Sequence, residues 1–153
     1  MPCQLDKNLL YKGGKFIYNI NDLNFISSDL YKRFKKDNPS YGYLKIRAYQ
    51  ANEALPIEGM KIIIRTIFEG NEIIFFEGET DQSGLINKIK LPTPKVVLDN
   101  LVIPKEIIYE IEAIYPKDNI DKTYKISMYE DVCVVQNINV PPKTLEAGSM
   151  KWQ

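Results

Sequence analysis

The sequence predicts a mainly β protein: a seven-stranded Greek-key β-sandwich, preceded by an N-terminal arm that contains a short helix. Three observations predict this fold class. Apolar and polar residues alternate over short runs, turn residues separate the runs, and no long helical period lies between them. We divide the 153 residues into a docking arm (1–40), a sandwich domain (41–142) and a C-terminal tail (143–153).

The arm shows two kinds of local pattern. Two short apolar pieces, Leu9–Tyr11 and Phe16–Ile20, lie on either side of Gly13-Gly14 and predict extended segments about a turn. Asp22–Lys36 predicts one short amphipathic helix, in which Ser28 caps the second half. The apolar stripe expected on this helix consists of Leu23, Ile26, Leu30 and Phe34.

The sandwich begins with the clearest strand pattern in the chain. In Tyr43–Tyr49 the apolar residues Leu44, Ile46 and Ala48 alternate with polar or aromatic ones, which is typical of a strand with one buried face. Asp81-Gln82-Ser83-Gly84 predicts a turn, because Asp can bond its own backbone and Gly adopts positive φ readily. Pro92-Thr93-Pro94 is expected to leave the sheet, because proline has no N–H for the ladder. The seven predicted strands are Tyr43–Tyr49, Met60–Ile67, Glu72–Glu77, Leu85–Leu91, Glu106–Tyr115, Thr123–Tyr129 and Val132–Val140; Val96–Ile103 is ambiguous.

Composition excludes several classes of function. The chain has no histidine, which excludes Ser-His-Asp and Cys-His catalysis and His-ligated zinc. Its 20 basic and 20 acidic residues balance, so we expect no nucleic-acid partner, and no run is long enough for membrane insertion. Of the two cysteines, Cys3 lies in the arm, and Cys133 is predicted to be a buried, inert thiol among valines. We expect no cofactor and no metal.

The segment 42–142 resembles the carboxypeptidase-regulatory-like, or transthyretin-like, β-sandwich family. The matching pieces include Gly42–Ile46, Pro56–Ile62, Thr80–Gly84 and Tyr109–Ala113. Leu91–Pro94 and Asn137–Pro141 are similar to a variant found beside spore cortex-lytic enzymes and in phage-related proteins of spore-forming anaerobes. The resemblance implies a sandwich that acts as a non-catalytic adaptor.

Three chemical alternatives compete with simple structural roles. Glu110 and Glu112 form a carboxylate pair that a glycosidase could use, although their alternation with apolar residues favours the outer face of a strand. An intramolecular isopeptide bond would join Lys45 or Lys61 to Asn137 or Asn139 with a carboxylate assisting, but strand parity points Lys45 outward. The basic cluster 32–36 could hold phosphates with Phe34 stacked on a base, whereas a solvated helix end is favoured.

The arm and tail carry apolar residues that need a surface to cover them. A helix of this length is marginal alone in water, so the arm must lie on the sandwich or on another chain. The predicted partner-binding residues are Leu9, Leu10, Tyr11, Phe16, Tyr18, Leu30, Phe34 and Trp152. A second candidate is an exposed aromatic face formed by Tyr41, Tyr43 and Tyr49, which could contact carbohydrate or protein, although cross-strand pairing explains it equally well.

These observations favour a non-enzymatic structural protein of a contractile phage tail or phage-tail-like bacteriocin, at the baseplate. Its partners would be other subunits of a multi-chain assembly. The alternative is a non-catalytic module that contacts peptidoglycan beside wall or spore-cortex hydrolases, and a third is a weak enzyme that uses carboxylates. Because the N-terminus lacks a basic segment followed by an apolar one, we expect synthesis in the cytoplasm without a signal peptide and incorporation into a virion or tail-like particle.

Overall fold

The computed structural model describes residues 10–12, 15–50, 55–96, 106–115 and 119–141. Within these ranges the chain is mainly β, with two sheets and two short helices near the N-terminus, so the predicted β-sandwich is confirmed. The elements are β1 (Leu10–Lys12), β2 (Lys15–Asn19), α1 (Leu23–Ile26), α2 (Asp29–Asp37), β3 (Ser40–Gln50), β4 (Leu55–Pro56), β5 (Lys61–Phe68), β6 (Asn71–Glu79), β7 (Leu85–Thr93), β8 (Ile107–Tyr115), β9 (Ile120–Met128) and β10 (Cys133–Val140). All seven predicted sandwich strands are present, as β3 and β5 to β10. The ambiguous segment 96–103 lies almost wholly outside the described residues.

The strands form a large and a small sheet. The large sheet has the order β1-β2-β6-β5-β8-β9, and the pairs β6-β5, β5-β8 and β8-β9 are antiparallel. The small sheet is centred on β3, which pairs with β10 in parallel on one side and with β4 and β7 antiparallel on the other. Strand β3 is therefore the strand around which the small sheet is organised.

The core lies between the two sheets. In β3 the side chains of Leu44, Ile46 and Ala48 are buried, and they meet inward-facing residues of the large sheet such as Ile64 and Ile111. The alternation read from the sequence therefore corresponds to an inner and an outer face. Tyr109 is also fully buried, and its hydroxyl donates a hydrogen bond of 2.6 Å to the carbonyl oxygen of Pro92. Burial raises the pKa of this phenol well above its ordinary value, so it remains a donor.

The arm joins the large sheet and extends its core. Strand β2 pairs in parallel with β6, and β1 completes an antiparallel hairpin with β2, as the Gly-Gly signal predicted. Phe25 and Phe34 are buried with Ile73 of β6 in a second apolar cluster. The predicted single helix is instead two helices. Ser28 caps α2 by accepting a hydrogen bond of 3.2 Å from the amide of Tyr31, and this break shifts the phase of the stripe.

The predicted stripe on the arm helix is therefore wrong in its first half. Leu23 is 76% exposed and Ile26 is 37% exposed, whereas Phe25 is buried at 2%. A continuous helix would align Leu23 and Ile26 with Phe34, but the non-helical Ser27 and Ser28 rotate α1 relative to α2. The caps decide which side chains face the core.

The turns follow their sequence signals, with one correction at proline. Asp81 accepts hydrogen bonds from the amides of Ser83 (2.8 Å) and Leu85 (3.0 Å), and Gly84 has a φ of +75°, where a Cβ would collide with the Ala48 carbonyl oxygen. The prediction that Pro92 and Thr93 leave the sheet is wrong, because both lie within β7, where Pro92 pairs with Tyr41 and Thr93 with Ser40. In the described part of the chain β7 pairs with β3 alone along the sheet, so the missing N–H of Pro92 costs no ladder bond on its open side.

Candidate interaction surfaces

The outer face of the small sheet carries the aromatic residues that the sequence singled out. Because the inward positions of β3 are buried, Tyr41, Tyr43 and Tyr49 point outward, and all three are half-buried. Strand pairing places basic and polar side chains beside them. We define the tyrosine–lysine face as Tyr41, Tyr43, Lys45, Arg47 and Tyr49 of β3, Lys88 and Lys90 of β7, and Cys133, Val135, Asn137 and Asn139 of β10.

Cations cover the rings of this face. The Nζ atom of Lys90 lies 4.3 Å from the Tyr41 ring centroid, and that of Lys88 lies 4.7 Å from the Tyr43 centroid. Lys35 of α2 adds a third cation, 4.2 Å from the Tyr41 centroid and 2.9 Å from its hydroxyl. Each such contact contributes about 0.5–1 kcal/mol at an exposed site. The face therefore presents ordered positive charge held by its tyrosines.

All the charged residues in the strands of the small sheet are basic. Its strands β3, β4, β7 and β10 contain Lys45, Arg47, Lys88 and Lys90 and no aspartate or glutamate. At the end of the sheet, Glu130 accepts hydrogen bonds from the amide of Val96 and from Ser40, and the exposed Asp131 follows it in the chain. Those two bonds, the Val96 amide first, lower the pKa of Glu130. A chain with balanced charges thus has a distinctly basic outer sheet face.

The outer face of the large sheet has the opposite character. Arg65 of β5 lies among three carboxylates, with its Nη2 atom 2.8 Å from Glu112 and its Nε atom 3.2 Å from Glu110 and 3.6 Å from Glu72. A hydrogen bond shared with Glu112 raises the pKa of nearby Asp121. We define the carboxylate face as Glu72, Glu77, Glu79, Glu110, Glu112 and Asp121, together with Lys61, Arg65 and Lys125 and the isoleucines Ile63, Ile67 and Ile108.

A groove lies on the carboxylate face. It has a volume of about 640 Å³ and is lined by, among others, Arg65, Glu72, Ile108, Glu110 and Lys125. Ile67 and Ile108, which also line the groove, are 51% and 50% exposed. The groove combines carboxylate oxygens with exposed apolar surface, which suits a long cationic or aromatic side chain from another molecule.

The predicted carboxylate pair and the isopeptide hypothesis can now be placed. Glu110 and Glu112 lie on the outer face of β8, as the alternation favoured, and both bond Arg65. Lys45 and Asn137 lie on the outer face of the small sheet, so Glu110 faces away from them on the other side of the sandwich. The groups needed for the isopeptide bond are thus separated by the core.

The prediction for Cys133 is wrong. Cys133 is exposed and free, at the start of β10 in register with Tyr43. Its valine neighbours suggested burial on both sides, but β10 alternates, and its buried residues are Ile138 and Val140. The thiol therefore lies on the tyrosine–lysine face.

The predicted partner-binding residues lie in different environments in the structure. Phe34 is 1% exposed, and its ring packs against Phe68 and Phe75, with centroids 5.3 Å away in each case. It belongs to the chain's own core and is not available to a partner or a nucleic-acid base.

Tyr18 stacks on Phe25 at 4.8 Å, and Leu30 packs against the same cluster. Phe16 is half-buried. Leu10 and Tyr11 contribute backbone to β1, and Leu9 and Trp152 lie outside the described residues.

The sequence interpretation missed Lys88, Lys90, Arg65 and Phe25. The signal for the two lysines was present, because the predicted strands 43–49, 85–91 and 132–140 contain no acidic residue. No comparable signal pointed to Arg65, whose role depends on strand pairing. Among the described residues, no cluster of potential ligands could hold a metal ion, and no helix is long and apolar enough to cross a bilayer.

Comparison with known proteins yields likenesses of fold. No protein-family model and no curated protein matches the chain. Among solved structures, it is similar to 5-hydroxyisourate hydrolase of Klebsiella pneumoniae (TM-score 0.46, 13% identity, 66% of this chain and 90% of that one). It is also similar to an (S)-allantoin synthase (TM-score 0.48, 13% identity, 74% of this chain), of which it spans 45%. Both are transthyretin-like β-sandwich proteins, and the likeness is one of fold alone.

Proposed function

We propose that this protein is a non-enzymatic assembly subunit of a contractile phage tail or phage-tail-like bacteriocin, placed at the baseplate, and that it docks through its tyrosine–lysine face. The observation that carries the docking role is the single charge sign of that face. Four cations and three tyrosines lie on strands fixed by the ladder of the small sheet. The setting in a tail is supported by the resemblance of the sandwich to the phage-related variant.

The composition of the face is that of a protein interface. Tyrosine and arginine are enriched at such interfaces because they offer large contact area together with polar atoms. Tyr43 and Tyr49 are held in place by Lys88 and Arg47, so the entropic cost of ordering them on binding is reduced. A rigid, basic sheet face favours an acidic protein surface as its partner.

An experiment on particles tests this function. A tagged chain is expected to co-sediment with purified sheath-and-tube particles. The double variant K88E/K90E should be lost from the particle fraction, because it reverses two exposed charges of the face. The matched control K32E/K36E changes two exposed charges on α2 by the same amount and should be incorporated normally. Assembled particles that lack the wild-type chain would overturn the proposal, as would a gene neighbourhood consisting of a sporulation operon.

A second candidate is a wall-binding module, which the outward tyrosines favour because sugars stack on exposed rings. The lysines over Tyr41 and Tyr43 count against it, since they occupy ring faces that a sugar would need. Retention on purified peptidoglycan at physiological salt would support this candidate. Tyr43→Ala should then abolish retention more strongly than Lys88→Ala, and the opposite order would indicate attraction by charge alone.

A further inference from the structure

The two outer faces of the sandwich are complementary in charge. The small sheet presents only cations in its strands, whereas on the carboxylate face six acidic residues outnumber three basic ones. The faces lie on opposite sides of a two-sheet sandwich, whose layers are about 10 Å apart. The balanced total of 20 basic and 20 acidic residues therefore conceals a molecule with one basic and one acidic side.

We propose that the tyrosine–lysine face of one copy docks on the carboxylate face of a second copy of this chain. This deepens the assembly role proposed above by naming the partner, and it rests on that role for its biological setting. The occupant is argued from charge complementarity. Lys88 and Lys90 would face the carboxylates that surround Arg65, where three carboxylates share one guanidinium and an excess of negative charge remains.

Apolar groups match as well as charges. Val135 on the tyrosine–lysine face is 48% exposed, and Ile67 and Ile108 on the carboxylate face are similarly exposed. The groove beside Ile108 has room for a lysine or tyrosine side chain from the partner. Burial of these three side chains would add apolar contact to an association that charge orients.

The contact joins different surfaces, so it is heterologous and repeats from copy to copy. Such contacts produce closed rings or open filaments. Docking of two tyrosine–lysine faces on each other is disfavoured, because it would oppose like charges. A head-to-tail arrangement leaves one basic and one acidic face free at the ends of any open assembly.

The area of the face sets the strength of a single contact. Three strands at about 4.8 Å spacing and a length of about 30 Å give roughly 400 Å² per copy. This is about half of the roughly 800 Å² per partner in a standard stable interface. One contact should therefore be weak and depend strongly on ionic strength, and repetition in an assembly would provide the stability.

Sedimentation velocity with charge-reversed variants tests the proposal. At low ionic strength the average mass of the wild-type chain should rise with concentration up to about 1 mM, and about 0.5 M salt should abolish the rise. K88E/K90E leaves the tyrosine–lysine face with two basic and two acidic residues, and E77K/E79K leaves the carboxylate face with five basic and four acidic residues. Each variant alone should stay monomeric, and an equimolar mixture should associate again because each retains one face that suits the other. K32E/K36E should behave as wild type. Circular dichroism confirms that each variant is folded.

Thiol labelling gives a second readout on the proposed face. Cys3→Ser leaves Cys133 as the only thiol, and Cys133 lies in register with Tyr43. Its rate of maleimide labelling should fall as concentration rises at low salt and recover at high salt. In the K88E/K90E background the rate should be independent of concentration. A concentration-independent rate in the wild-type background would contradict the proposed contact.

The outcomes separate this inference from the proposed function. A chain that remains monomeric under all conditions yet enters particles overturns self-docking and leaves the assembly role intact. A chain that self-associates but does not enter particles overturns the assembly role and leaves self-docking intact. If the chain stays monomeric and polyphosphate protects Cys133 from labelling, the face binds an anionic polymer and the second-copy proposal is wrong. Failure of the mixed variants to associate also overturns it.

Discussion

The substitution Phe34→Ala tests whether the arm shares the core of the sandwich. The Phe34 side chain is 1% exposed, so its loss forfeits a full burial of about 2–3 kcal/mol. Its ring pairs with Phe68 and Phe75, at centroid distances of 5.3 Å, add about 0.5–1 kcal/mol each. We expect the free energy of unfolding to fall by about 3–5 kcal/mol, as for large-to-small changes in other cores.

Thermal and urea unfolding, followed by circular dichroism and by tyrosine fluorescence, would measure this change. For a chain of this size, the melting temperature should fall by about 10 °C. The two probes should report one transition, because α2 packs on β6 through Ile73 and cannot melt separately without exposing it. The control is Leu23→Ala, which should change stability by less than about 0.5 kcal/mol because Leu23 is 76% exposed.

Two results would refute this argument. A Phe34→Ala variant within about 1 kcal/mol of wild type would mean that the aromatic cluster contributes little to the fold. A helical signal that is lost before the sheet signal would mean that the arm is an independent appendage. In that case the arm would again be a candidate for docking on another chain.

Two further predictions concern a turn and a titrating carboxyl. Gly84→Ala should destabilise the protein by more than about 2 kcal/mol, since φ is positive and a Cβ meets the Ala48 carbonyl oxygen. Gly70→Ala, at a similar φ in open space, should cost only about 1 kcal/mol, and equal losses in denaturant titrations would contradict the collision. Glu130 has a native pKa lowered chiefly by the Val96 amide, so its contribution is present above the ordinary pKa of 4.5 and is lost as pH falls through the native value. Glu130→Gln should therefore show a smaller loss of stability between pH 5 and pH 3, and an unchanged pH profile would argue against this role.

The strands of the sandwich could be predicted because their signals are local. Alternation in β3 and β8 and the Asp81–Gly84 turn depend on residues within a few positions of each other. The position of Pro92 could not be predicted in the same way. A proline is tolerated only where its strand is at an edge, and strand order is a property of the whole sheet.

The candidate surfaces were predictable in part. The parity of Tyr41, Tyr43 and Tyr49 indicated an outward face, and the structure places all three there. The covering of that face by Lys88 and Lys90 depends on the register of β7 against β3, which a single sequence does not specify. The run of valines around Cys133 predicts burial on both sides of the strand, whereas Cys133 and Val135 of β10 are exposed.

The pairing of β10 with β3 has a consequence for the order of events during synthesis. Partners such as Arg47 and Asn137 are 90 residues apart in the chain, so the small sheet closes only after nearly the whole sandwich has left the ribosome. Until then one edge of β3 has open backbone groups. Val135, Asn137 and Asn139 arrive with β10, so the tyrosine–lysine face is complete only after β10 has been synthesised. A nascent chain would thereby be kept from docking prematurely.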